Sequence, residues 1–288
     1  MNFLSERSVV RGPVLRKMRV MSETLDPREL ALRIRLRAVR MVAPQGFGYL
    51  GQALSSAEQV AAVFGAARPG VDRIVCSPGH YIIGPFAAAA ELGLVSEGDV
   101  SGYGQNGSVF EAIGTERSPV VDYTCGSLGQ GLSAALGFAL ADRFHGSDAR
   151  IFAMVSDGEL EEGQVWEAAL FAAHHRLDRL VVLLDANNSQ VDGPVDSITT
   201  LEPIADKWSA FGWRVFDIDG HDVAALSAAL SAASAERGRP SALVCRTSTR
   251  HGLDCLPPDA DGHFIKLPPS LAAAAVSELT GKLEALRA

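Results

Sequence analysis

The sequence lacks the long apolar runs, the excess of basic residues and the paired cysteines that mark several classes of protein. No apolar run approaches the roughly 20 residues that a membrane-spanning helix needs, so we expect no membrane partner. The 288 residues include 26 basic and 34 acidic side chains, and the net charge of -8 argues against a nucleic-acid-binding surface. The four cysteines show no CxxC spacing, which predicts reduced thiols and a cytoplasmic location.

The N-terminal segment, MNFLSERSVVRGPVLRKMRV, is basic but has no continuous apolar region, so it does not have the pattern of a signal peptide. We expect residues 1–26 to form an N-terminal arm. Residues 27–288 are sufficient for one large α/β domain with a full hydrophobic core.

The most informative stretch runs from residue 151 to residue 193. Ile151 to Val155 is an apolar run rich in β-branched residues and predicts a buried strand. From Glu159 to His175 apolar residues recur at three- and four-residue steps, which predicts a helix. Arg179 to Leu184 predicts a second strand. The order strand, helix, strand indicates an α/β fold with a mostly parallel sheet and helices on both faces.

Oxygen-bearing residues follow both predicted strands. Asp157 follows the first, and Asn187 and Ser189 follow the second. In a right-handed βαβ unit the two strand ends lie at one edge of the sheet, so these residues should be neighbours. Such oxygens are hard ligands suited to Mg²⁺ or Ca²⁺, and Gly158 would let a diphosphate approach the backbone beside a helix start. The alternative is an ordinary strand-turn-helix with an Asp turn.

The residues of this stretch also resemble a known motif. DGELEEGQVWEAALFAAHHRLDRL, followed by NNSQVDG, resembles the thiamine-diphosphate motif of transketolases, in the form found in split, short N-terminal subunits. The family motif begins Gly-Asp-Gly, whereas this chain has Ser156 at the first position. A second match is Gly-Ser-Leu-Gly-Gln-Gly-Leu-Ser, which begins at Gly126. The resemblance extends over roughly residues 27–266 and implies the thiamine-diphosphate-binding fold of the family's pyrophosphate domain.

By this resemblance, Asp157 and Asn187 are Mg²⁺ ligands through side-chain oxygens, and Ser189 is one through its backbone carbonyl; Ca²⁺ is a second candidate ion. His80 and His263 are the implied catalytic residues. The implied contacts to thiamine diphosphate are His80, Gly126, Ser127, Leu128, Gly158, Glu159, Asn187, Val191 and His263.

Two positions depart from the family pattern. Residues 46–51 match GxGxxG, but a predicted helix precedes them where a dinucleotide site needs a strand, so we interpret them as a turn. In transketolases the matching segment carries a histidine that contacts substrate; here that position is Tyr49. A second such histidine is expected near Ala112, yet no histidine occurs between His80 and His145. A donor other than an ordinary pentose therefore stays open.

The resemblance stops where a full transketolase continues into its pyrimidine-binding domain. It therefore implies a separate partner subunit, an α₂β₂ assembly, and transfer of a two-carbon ketol unit from a ketose to an aldehyde, with sugars or sugar phosphates as substrates. Two alternatives stay open. One is a subunit of a 2-oxo-acid dehydrogenase or another acyloin-forming enzyme, and the other is a non-catalytic binding subunit.

Overall fold

The computed structural model describes residues 26–288. Within them the helices are α1 (Pro27–Val42), α2 (Leu50–Ala66), α3 (Ile83–Glu91), α4 (Glu97–Ser101), α5 (Gln130–Phe144), α6 (Gly163–His174), α7 (Val195–Ile198), α8 (Ile204–Ala210), α9 (Val223–Ala235) and α10 (Pro269–Arg287). The strands are β1 (Phe47–Gly48), β2 (Arg73–Pro78), β3 (Tyr123–Cys125), β4 (Ile151–Ser156), β5 (Leu180–Ala186), β6 (Arg214–Asp219), β7 (Ser241–Arg246) and β8 (Ile265–Lys266).

Six of these strands form one parallel sheet in the order β3-β2-β4-β5-β7-β6. Side chains alternate across it, so that Phe152 and Met154 of β4 face a core built with α1, α2, α3, α9 and α10. Ala153 and Val155 face a second core with α5, α6 and α8. The predicted α/β fold, with a parallel sheet and helices on both faces, is confirmed. This order makes β4 and β5 direct neighbours, which brings their carboxyl ends together.

The helix predicted from Glu159 to His175 is wrong at its start. A 3₁₀ turn at Gly158–Glu161 comes first, and α6 begins only at Gly163. The break lies at Glu162, whose backbone is extended (φ -79°, ψ 119°). Glu159 of this turn is buried, and its carboxylate accepts hydrogen bonds from Ser77 and Gly129.

The sequence predicts an N-terminal arm, residues 1–26, followed by one domain, residues 27–288. Residues 1–25 of the predicted arm lie outside the described residues, and Asp26 caps α1 by accepting a hydrogen bond from the Arg28 backbone N–H at 2.9 Å. These boundaries stay a prediction. All four cysteines are unpaired, and in residues 26–288 no helix combines the length and apolarity needed to cross a bilayer.

The N-terminal end of α5 packs directly against the end of β2, and this contact generates a test of the fold. A Cβ atom at Gly131 would lie 2.4 Å from the Ser77 Cα, whereas one at Gly137 of the same helix would meet nothing within 4 Å. We expect Gly131→Ala to lower the free energy of unfolding by about 1–3 kcal/mol through overpacking. Gly137→Ala should raise it by up to about 1 kcal/mol through helix propensity. Urea unfolding measures both, and equal effects would contradict the packing.

Candidate functional site

Asp157 and the Asn187 loop meet at the carboxyl edge of the sheet. The last residues of β4 and β5, Ser156 and Asp185, are paired in register. The Asp157 carboxylate accepts hydrogen bonds from the backbone N–H groups of Gly158 at 2.8 Å and of Asn188 at 2.5 Å. The first strand end is thus tied directly to the loop that follows the second, as the spacing of the two residues predicts.

Hydrogen bonds to both the nitrogen and the oxygen of the Asn187 amide define its orientation. Its amide nitrogen donates to Asp185 Oδ2 at 2.7 Å and to the Tyr81 hydroxyl at 2.8 Å, and it also approaches the Ser55 hydroxyl at 3.4 Å. Its amide oxygen accepts from the Ser189 backbone N–H at 2.9 Å. The oxygen is therefore on the side of the Ser189 loop, where the predicted ligands lie.

Asp185 is a site residue that the sequence analysis missed. It is 1% exposed and lies inside the apolar run of β5. The signal was present, because an acidic residue in a buried strand two positions before Asn187 needs a specific set of partners. Burial and the adjacent Asp185 raise the pKa of Asp157 to about 7.

The two carboxylates give this edge a negative charge that the described residues do not neutralise. Within residues 26–288 neither Asp157 nor Asp185 forms an ion pair with a Lys or Arg. Buried carboxylates are normally paired with a cation or coordinated to a metal. The donor set of carboxylate, amide oxygen and backbone carbonyl suits a hard divalent cation such as Mg²⁺ or Ca²⁺. The residues present therefore fit the predicted metal.

A cavity of about 300 Å³ opens beside this edge. It is lined by Tyr49, His80, Tyr81, Ile113, Gly126, Leu128, Ser156, Gly158, Glu161, Glu162, Ser189, Gln190, Val191, Asp192 and His263. The structure thus brings together seven of the predicted site residues: His80, Gly126, Leu128, Gly158, Ser189, Val191 and His263. The glycines at Gly126 and Gly158 leave room for a diphosphate to approach the backbone.

Four predicted site residues do not line this cavity. Asp157 and Asn187 are buried, and Asp157 lines a second cavity together with Asn188 and Arg246, whereas Ser127 is exposed. Glu159 is fully buried; its Oε1 accepts hydrogen bonds from the Ser77 hydroxyl at 2.5 Å and the Gly129 backbone N–H at 2.7 Å. Burial raises the pKa of Glu159 to about 7. The geometry makes Glu159 a brace between cavity loops, and its direct contact with a cofactor stays a prediction.

The two predicted catalytic histidines lie together on the cavity wall. The ring centroids of His80 and His263 are 5.0 Å apart, and the Tyr49 ring contacts both. The Gln52 side-chain nitrogen is 3.0 Å from His263 Nδ1. Burial and the neighbouring His263 lower the pKa of His80 to about 3, and burial also lowers the pKa of His263. Both imidazoles are therefore neutral near pH 7.

An aromatic side chain occupies one of the two places where the resemblance predicts a further histidine, and an aliphatic side chain lies beside the other. Tyr49 lines the cavity, and next to Ala112 the side chain of Ile113 does so. Glu161, Glu162 and Asp192 add acidic groups, and among the described residues no Lys or Arg lines the wall. This wall is suited to neutral or cationic parts of a ligand.

In a second cluster of titratable groups, outside the cavity, the buried carboxylate is paired with a guanidinium. Glu58, His221 and His251 lie together, but the Arg35 guanidinium binds both Glu58 oxygens, at 2.7 and 2.6 Å. Burial raises the pKa of Glu58, yet Arg35 and His221 bring it down to about 2. His221 is hydrogen-bonded at both ring nitrogens, to Glu58 and to the Ser248 backbone. This cluster is a structural network that ties α1 and α2 to the loops beyond β6 and β7.

Comparison with known proteins identifies the family of this chain. Residues 28–267 match the model of the transketolase thiamine-diphosphate-binding domain. A putative uncharacterized transketolase family protein from Sinorhizobium fredii is 38% identical over 259 residues, which cover 86% of this chain and 93% of that protein. The chain belongs to the transketolase family.

Further comparisons agree with this family assignment. The 6-deoxy-6-sulfo-D-fructose transketolase subunit of a Clostridium species is 36% identical over 89% of this chain and 97% of its own length. The crystal structure of transketolase from Campylobacter jejuni superposes with a TM-score of 0.79 at 25% identity, over 88% of this chain and 42% of that one. The cavity of this transketolase-family chain is accordingly its candidate thiamine-diphosphate site.

The neutral state of His80 predicts that the isolated chain is sensitive to acid. Its folded-state pKa of about 3 lies below the ordinary value of 6.5, so only the unfolded chain takes up a proton as the pH falls. This contribution to stability is complete above pH 6.5 and is lost progressively toward pH 3. Between pH 7 and pH 5 the free energy of unfolding should fall by about 2 kcal/mol from this group, as measured by urea unfolding.

His80→Gln is the control for this prediction. Glutamine does not titrate, so the difference in unfolding free energy between pH 7 and pH 5 should be about 2 kcal/mol smaller than in the unmodified chain. If both proteins lose the same stability over this range, His80 is not held neutral by its surroundings.

Proposed function

We propose that this chain is the cofactor-binding subunit of a two-component transketolase, which transfers a two-carbon ketol unit from a ketose donor to an aldehyde acceptor. The observation that carries the proposal is a pair of buried carboxylates, Asp157 and Asp185, that have no Lys or Arg partner among the described residues and lie at the sheet edge beside a glycine-lined cavity. A divalent cation and a diphosphate together would satisfy both features.

The proposed roles divide the cavity into two parts. Asp157, Asn187 and the Ser189 carbonyl would hold Mg²⁺, with Ca²⁺ as the second candidate, and Gly126 and Gly158 would accommodate the diphosphate. Bound thiamine diphosphate supplies the carbanion chemistry that breaks and forms the carbon–carbon bond. Ser127, Glu159 and Val191 stay predicted cofactor contacts.

The two histidines would face the substrate. His80 is neutral, so its ring has one N–H donor and one acceptor for substrate hydroxyl or carbonyl oxygens. His263 offers less, because its Nδ1 lies 3.0 Å from the Gln52 side-chain nitrogen and its ring also hydrogen-bonds the Ser189 backbone. The remaining lining of Tyr49, Ile113 and acidic residues offers no cation. We therefore propose that a donor with an anionic end has that end bound by the partner rather than by this chain.

The partner is inferred from how much of each relative the chain covers. The chain covers nearly the whole of a relative that is named as a transketolase subunit, but 42% of the Campylobacter jejuni enzyme. This supports a separate pyrimidine-domain subunit in an α₂β₂ assembly. The family match favours a transketolase over a 2-oxo-acid dehydrogenase subunit, and the intact ligand set counts against a non-catalytic binding subunit. The cytoplasmic location stays a prediction.

Removal of the Asp157 carboxylate tests the metal site. Asp157→Ala should abolish measurable binding of thiamine diphosphate in the presence of Mg²⁺, because one hard ligand is lost and the diphosphate charge is then poorly neutralised. Isothermal calorimetry measures the binding. The control is Asp206→Ala, which removes an exposed carboxylate from α8 and should bind as the unmodified chain does. Unchanged binding by Asp157→Ala would reject Asp157 as a ligand.

The need for a partner is tested by a coupled assay of ketol transfer. With thiamine diphosphate, Mg²⁺, a ketose phosphate and an aldose acceptor, this chain alone should show no turnover. A pyrimidine-domain transketolase subunit that co-purifies with this chain should restore activity in proportion to the complex formed. Full turnover by this chain alone would refute the two-component proposal.

A further inference from the structure

Asp185 is the centre of a hydrogen-bond network that joins four parts of the fold. Its carboxylate accepts hydrogen bonds from five side chains: Ser55 and Gln59 of α2, Tyr81 after β2, Asn187 after β5, and Thr247 after β7. The Ser55 and Tyr81 bonds measure 2.5 and 2.9 Å, and the Gln59 bond measures 3.1 Å. All five side chains donate hydrogen bonds, so the Asp185 carboxylate acts only as an acceptor.

The Asn187 amide can face this network in one sense only. An amide nitrogen donates and an amide oxygen accepts, so only the nitrogen can bind the Asp185 carboxylate. The nitrogen does so at 2.7 Å, and the Tyr81 hydroxyl accepts from it while donating to Asp185. If the amide were rotated by half a turn, its oxygen would oppose a carboxylate and its N–H₂ would point at the cation.

We propose that Asp185 is a positioning residue that sets the polarity of the metal site, because it holds the Asn187 amide with its oxygen toward the cation. This inference rests on the proposed function. Asp185 itself binds no ligand. It acts through Asn187 and through the two hydroxyls, of Ser55 and Tyr81, that both side chains share.

Replacing the Asp185 carboxylate by an amide should remove the preference of the Asn187 amide for one orientation. In Asp185→Asn the new side chain can present either an oxygen or a nitrogen to Asn187, so the Asn187 oxygen is no longer held toward the cation. Loss of an outer-shell partner typically weakens metal binding by 10–100-fold. We expect the dissociation constant for Mg²⁺, measured by calorimetry in the presence of thiamine diphosphate, to rise by that factor.

An exchange of the two residues is the decisive variant. In the double variant Asp185→Asn with Asn187→Asp, the nitrogen at position 185 would donate to the carboxylate at position 187. The hydroxyls of Ser55 and Tyr81 can reverse their direction because a hydroxyl both donates and accepts. The other carboxylate oxygen would then face the cation. We expect the double variant to bind Mg²⁺ within about threefold of the unmodified chain, less than the 10–100-fold effect of a lost partner.

A buried carboxylate at the opposite end of the sheet gives the matched control. Asp142 of α5 is 8% exposed and pairs with Arg73 at the start of β2. Asp142→Asn should lower the free energy of unfolding, as measured with urea, but leave the Mg²⁺ dissociation constant unchanged. A general loss of stability is thereby separated from a loss of ligand orientation.

The outcomes separate this inference from the proposed function. If the unmodified chain binds no Mg²⁺ with thiamine diphosphate, the proposed function itself fails. If the unmodified chain binds and Asp185→Asn binds equally well, only the positioning role is overturned. The role is also overturned if the double variant folds and still binds no better than Asp185→Asn. If Asp185→Asn does not fold, a folded double variant with near-normal Mg²⁺ binding supports the role, and one with weak binding overturns it.

Discussion

The structure of the site depends on two carboxylates that are buried side by side at the ends of neighbouring strands. Asp157 and Asp185 have hydrogen-bond donors around them, but within the described residues they have no basic partner. Burying such charge is costly unless a cation compensates it. Binding of a divalent ion would offset that cost, so occupancy of the site and stability of the sheet edge should be coupled.

At a second place in the fold, a buried carboxylate is compensated by side chains of this chain. Glu58 is as buried as the site carboxylates, but Arg35 binds both of its oxygens and His221 donates to one of them. That cluster is complete within the chain and needs no ligand. The contrast between a compensated and an uncompensated carboxylate distinguishes a structural network from a binding site more clearly than burial does.

The residues of the cavity wall indicate which parts of the proposed active site come from this chain and which come from the partner. In the proposed enzyme this chain would provide the metal ligands, the open backbone beside the diphosphate and two neutral imidazoles, but among the residues that line the cavity there is no cation for an anionic substrate. Tyr49 takes the place of one family histidine, and Ile113, next to Ala112 where the second is expected, lines the same wall. Substrate choice would then come from the combination of this less polar wall with the partner's surface.

The sequence by itself determined the parallel α/β architecture, because the apolar period shows which strands are buried and where they end. It also determined that Asp157 and Asn187 are neighbours, since strand ends of a βαβ unit share one edge. It did not reveal the helix break at Glu162, or the pairing of β1 with β8, whose residues are more than two hundred positions apart. Only the tertiary structure decided that Ser55, Gln59, Tyr81 and Thr247 converge on Asp185. The physical reason is that local periodicity records burial, whereas convergence of polar side chains from separate elements follows from the order of strands in the sheet.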